Sequence, residues 1–178
     1  MPTYIALLRG INVGGNILKM DRLRSVWSEL GFENVRTYLQ SGNVVFEAQD
    51  NPSTWREKIE RMLVGETRLP AAVIVRSAKE LGKVIALNPF LKAAEIDQSK
   101  LHVTFLEASA AKDAVKTLSE ISSGRDECRV VGKEVYLHCP DGYGRTRLSN
   151  NRIEKVLSTK ATTRNWNTVN KLYELARA

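Results

Sequence analysis

A chain of 178 residues, 43% hydrophobic and 26% charged, is long enough to bury a core as one domain or two small ones. No apolar run approaches the ~20 residues of a membrane span and no secretion signal opens the chain, so a cytoplasmic location is the default expectation. The formal charge of +7 is uneven. Tyr143 to Ala178 carries eight Lys or Arg against two acids, which reads either as a footprint for phosphate or nucleic acid or as two solvated helix faces.

Thr3 to Arg9 is apolar on both alternating faces, which predicts a central strand covered on both sides. It breaks into the glycine-rich loop Gly10 to Gly15. Met20, Leu23, Val26, Trp27 and Leu30 then recur at helical spacing, and Gly31 is placed to end that helix. Asn34–Leu39 and Asn43–Glu47 read as a hairpin about Gln40-Ser41-Gly42. Asn51-Pro52 starts a second helix carrying Trp55, Ile59, Met62 and Leu63, with a turn over Gly65 to Pro70 and a strand over Ala71 to Arg76. Ser77-Ala78-Lys79-Glu80 has capping-box spacing and opens a helix that Asn88-Pro89 ends.

The second half repeats this outline. Leu101–Leu106 is a strand, Ser109 is placed to cap a helix carrying Ala114, Val115 and Leu118, and Cys128–Val131 pairs with Glu134–Cys139 across Gly132-Lys133. Two helices follow, one with Ile153, Val156 and Leu157, the other with Trp166, Val169, Leu172, Tyr173 and Ala176. The expected fold class is α+β: two related ferredoxin-like (split βαβ) units in tandem, the second modified with two C-terminal helices. The boundaries are 1–88 for the first unit, 89–99 for a linker and 100–178 for the second.

In a split βαβ unit the exit of the first strand, the turn between the second and third strands and the turn before the fourth share one end of the sheet. That gathers Arg9, Asn12, Gly14 and Gly15 with Gln40, Ser41 and Asn43: a cation, amides, a hydroxyl and glycine backbone suited to an anion. A second candidate is Thr163-Arg164-Asn165-Trp166-Asn167, with Thr163 as the cap of a last helix whose first turn holds no acid. The third is the loop around Tyr143 with Arg145 and Arg147, an aromatic beside two cations. For each, the alternative is internal satisfaction of a loop, a helix end or solvated side chains.

Histidine catalysis has two residues to draw on. Hairpin register puts Cys128, Val130, Val135, Leu137 and Cys139 on one face and Arg129, Tyr136 and His138 on the other, outward one. His102 has no serine or cysteine partner in evident reach, and no cluster has metal-site spacing, so neither a triad nor a metal or cofactor is expected. The two cysteines read as buried free thiols. Tyr4 and Phe46 are the only aromatics available for base stacking on the first sheet, and that face is expected to be covered.

Leu8-Arg9-Gly10-Ile11-Asn12-Val13-Gly14-Gly15, Thr37-Tyr38-Leu39-Gln40-Ser41-Gly42-Asn43-Val44-Val45-Phe46 and Ala161-Thr162-Thr163-Arg164-Asn165-Trp166-Asn167-Thr168-Val169 resemble the signatures of the bacterial domain of unknown function 1697 family. The resemblance implies a two-part α+β fold with a ferredoxin-like first part, implies no activity, and points to the same polar residues. The leading expectation is a binding protein for an anionic ligand, a phosphate-bearing nucleotide-like molecule or nucleic acid, with no membrane partner. The alternatives are a metal-independent enzyme acting on such a ligand and a purely structural role for the polar loops.

Overall fold

Ala6 and Leu8 of β1 (Thr3–Arg9) point into one core while Ile5 and Leu7 are buried on the opposite face, so both sides of this strand are covered, as its two-faced apolar pattern predicts. The computed structural model describes residues 1–12, 17–39, 42–49, 52–122 and 124–178. Contacts group Met1–Gly82 with Leu172–Ala178 as unit 1, and Lys83–Lys171 as unit 2.

After β1, the chain forms α1 (Met20–Glu29), β2 (Glu33–Tyr38), β3 (Asn43–Glu47), α2 (Pro52–Thr67), β4 (Ala72–Ser77) and α3 (Ala78–Ala86). The strands make an antiparallel sheet in the order β2-β3-β1-β4. Leu23, Val26 and Trp27 of α1 and Trp55, Ile59 and Leu63 of α2 pack with Ala6, Leu8, Val44, Phe46 and Val73 in its core. Gly31, at φ 86°, ends α1 as expected: its N–H donates to the Ser28 carbonyl (3.0 Å) and that of Phe32 to the Trp27 carbonyl (3.2 Å). The Ser77–Glu80 capping box also forms, with the Ser77 N–H donating to Glu80 Oε2 (2.7 Å) and the Glu80 N–H to Ser77 Oγ (3.2 Å). Tyr4 and Phe46 lie in an aromatic cluster with Trp55, so they are core residues rather than a base-stacking platform.

Two 3-10 turns, Pro89–Lys92 and Gln98–Lys100, lead to β5 (Leu101–Leu106), followed by α4 (Lys112–Ile121), β6 (Glu127–Val131) and β7 (Glu134–His138). A further 3-10 turn at Tyr143–Arg145 precedes α5 (Asn150–Leu157), β8 (Ala161–Asn165) and α6 (Trp166–Arg177). The second antiparallel sheet has the order β6-β7-β5-β8. Its core joins Leu106, Leu118, Cys128, Val135, Leu137, Cys139, Ile153 and Leu157.

Here the structure corrects the sequence reading. The two C-terminal helices are not consecutive, because the polar run Ala161–Asn165 is a closing strand between them. Its inward hydroxyl is satisfied rather than exposed: Thr163 Oγ1 donates to Asn150 Oδ1 (3.0 Å) and shares a 2.8 Å hydrogen bond with Thr104 Oγ1. Ser109 is not a cap, since α4 starts at Lys112 behind Ala111, and α2 runs through Gly65 to Thr67 instead of turning there. The alternation of faces expected for the β6–β7 hairpin holds, with Cys128, Val135, Leu137 and Cys139 in one core, but His138 is not outward. Its ring packs 5.8 Å from Phe90 and its side chain is 19% exposed.

Pairing register relates the two sheets residue by residue. Leu8 donates to the Gly42 carbonyl (2.9 Å) as Leu106 does to that of Lys133 (2.8 Å); Ile5 faces Arg76 as Val103 faces Arg164. By the same register Arg9 corresponds to Glu107.

Candidate functional site

The site is built at the end of the unit 1 sheet where β1 leaves it. Gly10 has φ 85°, and a Cβ there would stand 2.6 Å from the Pro70 carbonyl oxygen. Gly42 has φ 80°, and its Cβ would meet Ile11 Cδ1 at 2.5 Å and Leu8 Cβ at 2.9 Å. Only glycine allows both the left-handed backbone and these approaches. The β1 exit, the β2–β3 turn and the turn before β4 therefore meet, as the topology predicts.

Side chains fix the segments. Asn12, at φ 54°, accepts from the Leu18 N–H through Oδ1 (2.6 Å) and so ties the loop back to the chain entering α1. Buried Asn43 donates from Nδ2 to the Tyr38 carbonyl (2.8 Å), closing the hairpin. Thr67 Oγ1 donates to the Leu63 carbonyl (2.8 Å) and accepts from the Leu69 N–H (3.2 Å), shaping the turn before β4. Arg9, Asn12 and Asn43 are thus brought together; Gly14, Gly15, Gln40 and Ser41 lie outside the described residues.

Two cations at this end escaped the sequence reading. Lys19 is the N-cap residue of α1 and Arg68 sits in the turn before β4. Both are exposed, and neither has an acidic partner among the described residues. Of the acids on the adjoining helices, Asp21 pairs with Arg24, Glu66 pairs with Arg22 and Glu60 Oε1 accepts from the Val73 N–H (3.0 Å), while Glu57 is exposed on the surface it shares with Pro70 and Ala71. The Arg22 hydrogen bond holds the Glu66 carboxyl below its ordinary range. The signal for Arg68 was present, because topology sends the turn before β4 to the glycine-loop end.

In unit 2, Thr163, Arg164 and Asn165 have structural contacts. Thr163 belongs to β8, so it does not cap the last helix; Asn165 does, its Oδ1 accepting from the Thr168 N–H (2.8 Å). Arg164 is 7% exposed and donates from Nη1 to Thr162 Oγ1 (2.7 Å) and to the Thr163 carbonyl (3.0 Å). Burial pushes its guanidinium down to about 10, still charged at neutral pH. Its counterpart Arg76 is equally buried and donates to the Val75 carbonyl (3.0 Å), so both strands carry the same local device. Asn167 lies on the first turn of α6 and is exposed, as are Arg145 and Arg147. Tyr143 stacks on His102 (4.7 Å, 24°), and its hydroxyl accepts from the Asn150 N–H (2.9 Å). That ring is already engaged on one face.

Burial holds the His102 imidazole below its usual range and raises both thiols, Cys139 to about 11. Among the described residues no three His, Cys, Asp or Glu side chains form a group able to hold a metal. No helix among them is long and apolar enough to cross a membrane. A cavity of about 310 Å³ lies at the other end of the unit 1 sheet, with Phe32 and Trp55 in its wall and Glu33, Glu47 and Lys58 around it. Its charges are of both signs and select no ligand class.

No curated protein matches the chain. Among solved structures it is similar to that titled "The structure of conserved bacterial protein SP0830 from Streptococcus pneumoniae", with a TM-score of 0.78 and 22% sequence identity over 98% of each chain. That likeness shows a shared fold. The model of the family described as protein of unknown function, DUF1697, matches residues 1–136, and the chain belongs to this family.

Proposed function

We propose that the protein binds a small phosphate-bearing anion at the β1-exit end of unit 1. The observation that carries this reading is the meeting of the segments that bear Arg9, Lys19 and Arg68, joined by the Gly10–Pro70 and Gly42–Ile11 approaches and by the Asn12–Leu18 hydrogen bond, with Lys19 and Arg68 lacking acidic partners among the described residues. Lys19, at the start of α1, adds to the partial positive charge of a helix N-terminus. The register-matched position in unit 2 offers an internal comparison: Glu107 stands where unit 1 has Arg9, and Ala108 and Lys133 replace the two glycines. One site per chain is the consequence.

The reading takes each unit as a ferredoxin-like repeat, supported by the common order of strands and helices, and the cytoplasm as the setting, supported by two buried free thiols. Thermal unfolding with added pyrophosphate tests the site. Stabilisation of the native chain, lost in Arg9→Ala and in the exposed double variant Lys19→Ala/Arg68→Ala, is the expected result. An unchanged midpoint at millimolar pyrophosphate overturns it.

A further inference from the structure

The Arg36 Nε–H on β2 is buried and has no acceptor among the described residues. Its counterpart in the second sheet is engaged. Pairing register matches Arg36, Val45 and Ile5 with Arg129, Tyr136 and Val103. Arg129 donates from Nη1 to the Cys128 carbonyl (2.9 Å) and from Nη2 to Glu127 Oε2 (3.4 Å), and its guanidinium lies 5.7 Å from the centre of the Phe90 ring. A β-bulge makes the difference. Glu127 precedes Arg129 by two residues and so shares its face. In unit 1, Glu33 pairs with Glu47 and Arg36 with Val45, so β2 has one residue more than β3 over this stretch, and Asn34 within it has φ 49°. Glu33 therefore stands three residues from Arg36 and lines the cavity of about 310 Å³, whereas Arg36 lines another.

That second cavity, of about 450 Å³, is lined by Asn34, Val35, Arg36, Glu47 and Ala178, all of unit 1. Glu47 shares the strand face of Val45, the residue opposite Arg36, and lies two positions further along β3. Asn34 Nδ2 holds one of its carboxylate oxygens, Oε2, at 2.9 Å, and among the described residues neither Glu47 nor Arg36 has an ion-pair partner. A cation and an anion thus face one cavity without neutralising each other. Both are partly buried, unlike Glu33 and Lys58 at the 310 Å³ cavity, which are exposed. We propose that this cavity binds a free amino acid, its carboxylate taken by Arg36 and its ammonium by Glu47, with Val35 beside its side chain. A carboxylate alone would be repelled by Glu47 and an amine alone by Arg36, whereas a zwitterion meets both. The buried Nε–H makes an acceptor at Arg36 worth more than one in open solvent. Glu47 pairs with Thr3, at the start of β1, so the site lies at the other end of the sheet from the β1 exit and does not depend on the anion site.

The test is calorimetric titration of the full chain with the standard amino acids at millimolar concentration, followed, for the tightest, by its amide and its deaminated carboxylic acid. At least one amino acid should bind, and each analogue should be weaker by about tenfold or more, because each leaves one charge of the site unmet. Arg36→Gln should weaken the amino acid by about tenfold or more, while Arg129→Gln, the register-matched control, leaves it unchanged. Pyrophosphate binding should be the same in both variants as in the parent chain. The urea midpoint of Arg36→Gln should equal or exceed that of the parent, since the buried Nε–H has no acceptor among the described residues to lose. A large drop in that midpoint makes Arg36 a structural residue and overturns the proposal. Equal binding of the deaminated acid overturns the Glu47 contact and with it the amino acid assignment. No binding by any amino acid, or binding indifferent to Arg36→Gln, overturns the site and leaves the anion site standing. Loss of pyrophosphate binding in Arg36→Gln overturns the independence of the two.

Discussion

Replacing Gly10 by alanine tests whether the three segments of the site are held by close backbone approach. The residue has φ 85°, which costs an L-residue about 1–2 kcal/mol. Its new Cβ would lie 2.6 Å from the Pro70 carbonyl oxygen, a backbone atom that moves only with the start of β4. Relieving such an overlap costs about 1–3 kcal/mol more, so the expected loss is about 2–5 kcal/mol. Two controls separate these effects. Gly31 has φ 86° with nothing within 4 Å of its Cβ position, so Gly31→Ala should lose only the backbone share, about 1–2 kcal/mol. Gly65 lies in α2 with open space around it, and Gly65→Ala should gain roughly 0.5–1 kcal/mol. Urea unfolding followed by circular dichroism, with slopes compared across variants, gives the ranking. If Gly10→Ala loses no more than Gly31→Ala, the close approach is not what joins these segments.

Three further outcomes are expected. Neither thiol should react with an aromatic disulfide reagent in the native chain at pH 8, because both are buried and burial pushes Cys139 up to about 11; fast labelling without unfolding contradicts this. Burial lowers the His102 pKa in the folded chain below the unfolded value of about 6.5, so as pH falls through that value the unfolded chain takes up the proton first and stability declines. His102→Gln should flatten urea midpoints between about pH 6.5 and 5, and an identical pH slope in both proteins refutes the assignment. Thr163→Val should cost about 1–3 kcal/mol by stranding Asn150 Oδ1, and a urea midpoint equal to that of the parent chain would show that Thr163 is not structural.

Much of unit 1 was legible because its elements obey one-dimensional rules. The two-faced apolar β1, the helical spacing of Leu23, Val26 and Trp27, Gly31 as terminator and the Ser77–Glu80 box all appear in place. The meeting of the β1 exit with the hairpin turn also followed from topology alone. What escaped was set by tertiary contact. Ala161–Asn165 lacks an apolar alternation because Thr163 hydrogen-bonds inward and buried Arg164 donates to its own strand, so a strand looked like the approach to a helix. His138 looked outward because hairpin register tells which face a side chain takes but not that Phe90 lies against it. Lys19 carries no local motif; its segment reaches the β1 exit through the Asn12–Leu18 hydrogen bond, which the sequence does not announce.

The most direct measurement is an amide-resolved NMR titration of the full chain with pyrophosphate. The amides of Gly10, Ile11, Asn12, Leu39 and Gly42 should shift together and saturably, while those flanking Glu107 and Lys133 in unit 2 stay still. Shifts confined to Arg145–Arg147, or saturation nowhere, would contradict an anion site at the β1 exit.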